Sequence, residues 1–212
     1  VFGRWVIIAS ERGRRPNEFR AAGPEGVHAC PFCPGREKET PPSIYTLPAG
    51  DGRGWRLRVM LNKYPALAEP GSAENIADGM YDRMDGVGSH EVVIETPLHD
   101  RQLEDLSVPE IADIFRTFVL RANEIKKDPR MKYIMIFKNY GHNAGASLAH
   151  PHSQIIAMPM VPIRVVQEID GARAYREENG ACVFCDILAQ EAGIRKRVVG
   201  ENDNFLAITP YA

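Results

Sequence analysis

The stretch Tyr133-Ile134-Met135-Ile136-Phe137-Lys138-Asn139-Tyr140-Gly141-His142-Asn143-Ala144-Gly145-Ala146-Ser147-Leu148-Ala149-His150-Pro151-His152-Ser153-Gln154-Ile155-Ile156-Ala157 decides how this chain is read. Its two apolar ends predict short buried strands. Between them lies a loop of Gly, Ala, Asn and Ser, followed by two imidazoles at i and i+2. On an extended backbone, residues two apart share a face. His150, His152 and Gln154 are therefore expected to project together. A neutral imidazole is a good nucleophile toward phosphorus and a good leaving group afterwards. A loop of small residues lets backbone N–H groups approach phosphate oxygens. The Gln154 amide can donate an N–H but cannot serve as a general acid at neutral pH. A lone His-x-His more often marks two surface histidines. The loop before it and the glutamine after it favour phosphate chemistry.

Outward from this stretch, the 212 residues allow one large domain or two small ones. The formal net charge of -2 gives no reason to expect a nucleic acid or a membrane surface as partner. There is no run of 18 apolar residues and no opening signal segment, so the cytoplasm is the default expectation. The four cysteines fall as Cys30-Pro31-Phe32-Cys33 and Cys182-Val183-Phe184-Cys185. Such spacing points to metal more than to disulfides. In the first pair Pro34-Gly35 argues against a redox pair opening a helix.

Arg4 to Ala9 reads as a strand with no lead-in, as though residues were missing before it. Glu11 to Pro16 concentrates positive charge in a loop, either solvated or facing phosphate through Arg12 and Arg15. Trp55 to Leu61 alternates apolar and basic residues, a strand with one buried face. Asn62 follows, as a turn former or a ligand contact. Glu69 to Gly88 reads as a loop. Ser107-Val108-Pro109-Glu110 is a capping-box start, and Ile111, Ile114, Phe115, Phe118, Val119, Ala122 and Ile125 continue at helical spacing. Ile163 to Glu178 reads as a second, more polar helix, and Asn204 to Thr209 as a strand.

The central stretch resembles the histidine-triad superfamily, in its galactose-1-phosphate uridylyltransferase branch. Asn139, Gly145, Ser147, His150, His152 and Gln154 match that family's Asn, Gly/Ala-rich loop, Ser and His-Pro-His-x-Gln. The resemblance implies an α+β, histidine-triad-like fold: a mostly antiparallel sheet with packed helices, in two half-domain repeats. Residues 1–178 would form the first unit, and residues 179–212 the start of a second that looks incomplete. It also implies a covalent nucleotidyl-His152 assisted by Gln154. Arg12, Arg15, Asn62, Asn139, Gly145, Ala146, Ser147 and Gln154 would contact nucleotide or phosphate. Zinc would be held by Cys30, Cys33, His99 and His150. His90 competes with His99 for the third place; it opens a strand, whereas His99 lies beyond the strand end, where ligands converge more easily. Cys182 and Cys185 would begin a second metal site, although no histidine follows them. Glu168 matches an extra metal position of bacterial relatives, but a solvated helix glutamate is the stronger reading.

The implied activity is ping-pong nucleotidyl transfer from UDP-glucose to galactose 1-phosphate, by a homodimer. An ADP-glucose phosphorylase of the same branch would carry the same motif. A histidine-triad hydrolase is disfavoured, because Gln154 stands where hydrolases keep a third histidine. A non-catalytic zinc and nucleotide-binding module is disfavoured by the intact His152 and Gln154 pair.

Overall fold

The computed structural model describes residues 4–15 and 30–211. Pro16, which closes the basic loop, lies outside them. The chain divides into two compact units between Val161 and Pro162, the first beginning at Trp5.

The first unit is built on β1 (Ser43–Pro48), β2 (Trp55–Leu61), β5 (Ser89–Ile94), β6 (Tyr133–Phe137) and β7 (His152–Met158), once the hairpin of β3 (Ile76–Asp78) and β4 (Tyr81–Arg83) is counted separately. The sheet order is β1-β2-β5-β7-β6, with every neighbouring pair antiparallel. One helix, α1 (Val108–Ile125), packs on it. Its start follows the predicted signature: the Glu110 carboxylate accepts the Ser107 N–H at 2.7 Å, and Pro109 falls in the first turn.

The pleat sorts β5 and β7 into two faces. Val93, Ile155 and Ala157 join Leu57, Val59, Ile114 and Ile125 in the core beneath α1. Val92 and Ile94 pack with Met60 and Phe32 on the opposite side, and Ile156 and Met158 with Leu67. His152 and Gln154 share the parity of Ile156, so they belong to the face away from α1. The core under α1 also holds charge. Arg121 on α1 clamps the buried Glu91 of β5 through Nε and Nη2, at 2.9 and 2.8 Å. Glu95 likewise accepts from Ser153 Oγ and Lys138 Nζ.

The second unit comprises α2 (Ile163–Asn179), α3 (Val183–Ile194) and the hairpin β8 (Val198–Glu201) with β9 (Leu206–Ile208). The buried Glu191 of α3 pairs with Arg197. No helix among the described residues is long and apolar enough to cross a membrane.

Some expectations are corrected. β6 is a strand but not a buried one: it is the edge of the sheet, with Met135 and Ile136 exposed, whereas β2 buries both faces, Arg58 and Met60 included. Arg4 to Ala9 is not a strand; it runs without regular structure, with Val6 and Ile8 exposed. β propensity supplies no pairing partner, and no ladder forms there among the described residues. The expected loop Glu69 to Gly88 contains the β3-β4 hairpin. Further along, Gly88 leads into β5, where a Cβ would lie 2.2 Å from the Ala157 carbonyl oxygen, so only glycine lets the strands approach.

The buried clamp supplies a stability test. Arg121→Leu should lower unfolding free energy by about 3–5 kcal/mol, because Glu91 is left buried and unpaired. Glu91→Leu combined with Arg121→Leu should recover most of that loss. Urea midpoints of the three proteins measure both effects.

Candidate active site

His150 is fully buried. Its Nε2 lies 2.8 Å from the Thr96 carbonyl oxygen, so Nε2–H donates there and Nδ1 is the unprotonated nitrogen. Two residues on, His152 Nδ1 lies 2.8 Å from the His150 carbonyl oxygen. That bond places the proton on Nδ1 and the lone pair on Nε2. Phe32 meets the His152 ring edge-on, with centroids 5.3 Å apart.

His152 and Gln154 line a cavity of 740 Å³. Pro31, Phe32, Met60 and Val92 give part of it an apolar wall; Arg12, Arg15, Asn62 and Lys63 give it charge and hydrogen-bonding groups. Arg12 Nη1 donates to the Tyr64 carbonyl at 2.9 Å, and Arg15 Nη2 to the Gly145 carbonyl at 3.4 Å. Burial first, and then the neighbouring Arg15 charge, lower the Arg12 pKa. An anion between two guanidiniums would relieve that repulsion.

Gly145, Ala146 and Ser147 form another part of the wall. Gly145 caps a short 3-10 turn, His142–Ala144, at φ 80, a conformation that needs glycine. The N–H groups of Gly145 and Ala146 close the loop itself, on the carbonyls of His142 and Gly141 at 2.9 and 3.2 Å. A cradle made from all three amides is therefore narrower than the composition suggested, because two of them hold the loop in shape. Asn139 follows β6 but does not line the cavity.

Beside this wall, Cys30, Cys33, His99 and His150 bring their ligand atoms within 4.8 Å of one another. Around zinc, a thiolate at about 2.3 Å and an imidazole at about 2.0–2.1 Å in tetrahedral array stand about 3.6 Å apart. Cys33 Sγ is 3.5 Å from His99 Nδ1 and 3.6 Å from His150 Nδ1. The donor set therefore fits a tetrahedral metal. Burial, opposed by the Thr96 hydrogen bond, lowers the His150 pKa to about 4, so the ring is neutral, as a ligand must be.

Residues 2–162 match the family described as galactose-1-phosphate uridyl transferase, N-terminal domain. The chain belongs to this family. ADP-glucose phosphorylase of Arabidopsis thaliana is 38% identical over 218 residues, covering 100% of this chain and 60% of that protein. Galactose-1-phosphate uridylyltransferase of Thermotoga maritima is 31% identical over 208 residues, covering 98% and 59%. The crystal structure of the Arabidopsis ADP-glucose phosphorylase with bound ADP-glucose is similar at a TM-score of 0.74 and 38% identity, over 100% of this chain and 62% of that one. The chain thus spans about 60% of the length of these relatives.

For this member of the transferase family, Arg12, Arg15, Asn62, Gly145, Ala146, Ser147, His152 and Gln154 all face one cavity. Phe32, Lys63 and Tyr64 also line it and were not singled out from the sequence. Phe32 had a signal, since it lies inside the first cysteine pair. His90 stands outside the cysteine-histidine group. Cys182 and Cys185 are exposed, with Cys182 preceding α3, and among the described residues they join no group of three metal-binding side chains. Glu168 is exposed on α2.

The cluster makes a direct prediction. Cys30→Ser and His99→Ala should each lose about one bound metal per chain and lower the melting temperature. His90→Ala should retain the metal. Elemental analysis of the purified variants decides the matter, and loss from His90→Ala would mean that the wrong histidine has been assigned.

Proposed function

We propose that the cavity accepts a nucleoside-diphosphate sugar and that His152 takes its nucleotidyl group. The observation that carries this reading is the hydrogen bond from His152 Nδ1 to the His150 carbonyl, at 2.8 Å, in a cavity whose wall includes two arginines. It leaves the Nε2 lone pair as the attacking one.

In the first half-reaction Nε2 attacks the α-phosphorus. The bond from that phosphorus to the bridging oxygen breaks, and sugar 1-phosphate departs with the bridging oxygen and its electron pair. The ring gains positive charge, which the Nδ1–H bond to the His150 carbonyl stabilises. In the second, a phosphate oxygen of the acceptor attacks the same phosphorus, and the electron pair of the P–N bond returns to Nε2. Gln154, Arg12 and Arg15 counter charge on the phosphoryl oxygens. Ser147 supplies a hydroxyl in the same wall. Zinc suits two cysteines and two histidines; in such a closed set it would supply structure, fixing His150 rather than activating substrate.

Transfer from UDP-glucose to galactose 1-phosphate is the reading the sequence motif suggests. A second reading, AMP transfer from ADP-glucose to inorganic phosphate, is favoured by the 38% identity to ADP-glucose phosphorylase. Both share the covalent half-reaction and differ in base and acceptor.

The full-length protein should take up label from α-labelled UDP-glucose or ADP-glucose when no acceptor is present. The adduct should be acid-labile and base-stable, as a phosphoramidate is. Galactose 1-phosphate or inorganic phosphate should discharge it, and whichever does so names the acceptor. His152→Asn should take no label. An acid-stable adduct, or undiminished turnover by His152→Asn, would remove His152 as the nucleophile.

A further inference from the structure

His90 on β5 faces the same side as Gln154 but ligates nothing in the metal cluster. It pairs across the sheet with Ile156, so Gln154 is its diagonal neighbour, within reach of a long side chain. The ring is buried, at 2% exposure, and both nitrogens have close neighbours.

Those neighbours fix the tautomer. The Ala66 backbone N–H lies 2.9 Å from Nδ1, and Arg12 Nη1 lies 3.4 Å from the same atom. Both can only donate, and a backbone N–H cannot be turned around. Nδ1 is therefore the acceptor, and the hydrogen sits on Nε2. Gln154 Oε1, 2.9 Å from Nε2, accepts it. Asn62 Nδ2 is 3.1 Å from Nε2, but the Tyr64 N–H occupies Asn62 Oδ1 at 2.9 Å and leaves the NH2 end, another donor, toward the ring. Of the two amides, only Gln154 can receive the Nε2 hydrogen. Burial is the main cause that lowers the His90 pKa to about 4; the Gln154 bond opposes it and the Arg12 charge adds to it. The ring therefore stays neutral near pH 7, with one donor and one acceptor.

An amide has two chemically opposite ends. With Oε1 held by His90, the NH2 of Gln154 is the end available to the cavity it lines. Reversed, the amide would set an oxygen lone pair against phosphoryl oxygens. We propose that His90 is a positioning residue that fixes the sense of the Gln154 amide, so that its NH2 meets the phosphoryl group transferred to His152. The proposal rests on the reading of the cavity as a nucleotide-sugar site.

Two measurements separate the proposal from that reading. In the full-length protein labelled with ¹⁵N-histidine, His90 should appear as the Nε2–H tautomer with Nδ1 unprotonated. The Nδ1–H tautomer would overturn the proposal whatever the activity. The second measurement is the rate of His152 labelling at saturating nucleotide sugar. Gln154→Ala should lose about 10²–10³-fold, the range for one charge-stabilising donor. His90→Leu should lose about three- to tenfold, the worth of one neutral hydrogen bond, with KM nearly unchanged. His90→Gln, whose amide N–H reaches the place of Nε2–H, should recover most of that loss. On a Gln154→Ala background, His90→Leu should cost nothing further. An equal loss from His90→Leu on both backgrounds would mean a general packing role and would overturn the proposal. So would failure of His90→Gln to restore the rate while its melting temperature matches wild type. Absence of label on the wild type would instead overturn the reading of His152, and the tautomer would then decide His90 alone.

Discussion

His150 commits both ring nitrogens and its carbonyl. One ring nitrogen faces Cys33, the other holds the Thr96 carbonyl, and its own carbonyl holds the His152 ring. A fully buried imidazole is tolerable only when both nitrogens are satisfied. Satisfying them this way ties three segments together: the cysteine knuckle, the turn after β5 and the start of β7. Pro151, between the two histidines, has no N–H to place and a fixed φ, so the peptide that carries the His150 carbonyl has little freedom. Its own carbonyl accepts the Glu95 N–H at 3.3 Å, which joins β5 to the same point. The orientation of His152 thus follows from bonds made by its neighbours.

The rest of the site follows from the pleat. Neither side of β7 faces water, yet the two sides are chemically unlike. Ser153, Ile155 and Ala157 serve α1 and the charged groups beneath it; His152, Gln154 and Ile156 serve the cavity and its surroundings. β5 divides in the same way, with Glu91 toward Arg121 and His90 toward Gln154. Packing beneath α1 and the lining of the cavity side are therefore carried by alternate residues of the same strands.

Much of this could be read from residues alone. The strand ending in Phe137, the strand opening at His152, the Trp55 to Leu61 strand and the helix begun by Ser107 and Glu110 all carried local signals strong enough to stand without tertiary context. The convergence of Cys30, Cys33, His99 and His150, and most of the residues that line the cavity, followed from the resemblance. What escaped was the information that lives between segments. The apolar run Arg4 to Ala9 has strand composition but gains no ladder, because pairing depends on a partner edge. The β3-β4 hairpin is too short and polar to announce itself. The loop amides of Gly145 and Ala146 were expected to cradle phosphate, but their hydrogen bonds go to the loop. His90 read as the rival of His99 for a metal-ligand place at a strand start; its surroundings come from Ala66, Asn62 and Gln154, none adjacent to it in sequence.

The parity of β7 also acts as a reading frame. The strand is hydrogen-bonded on both edges, and all seven of its residues are buried. Deleting Ser153 would turn every later side chain of the strand to the opposite face. Gln154 would then be driven under α1, and Ile155 would enter the place meant for a hydrogen-bonding group. Such a deletion is the three-dimensional counterpart of a frameshift. Between Lys138 and Ala149 the chain follows no ladder, so a change of length there would disturb the cavity wall of Gly145, Ala146 and Ser147 but leave the register of β7 intact. The loop can therefore change in length without moving the strand out of register, while the strand itself can change only by substitution.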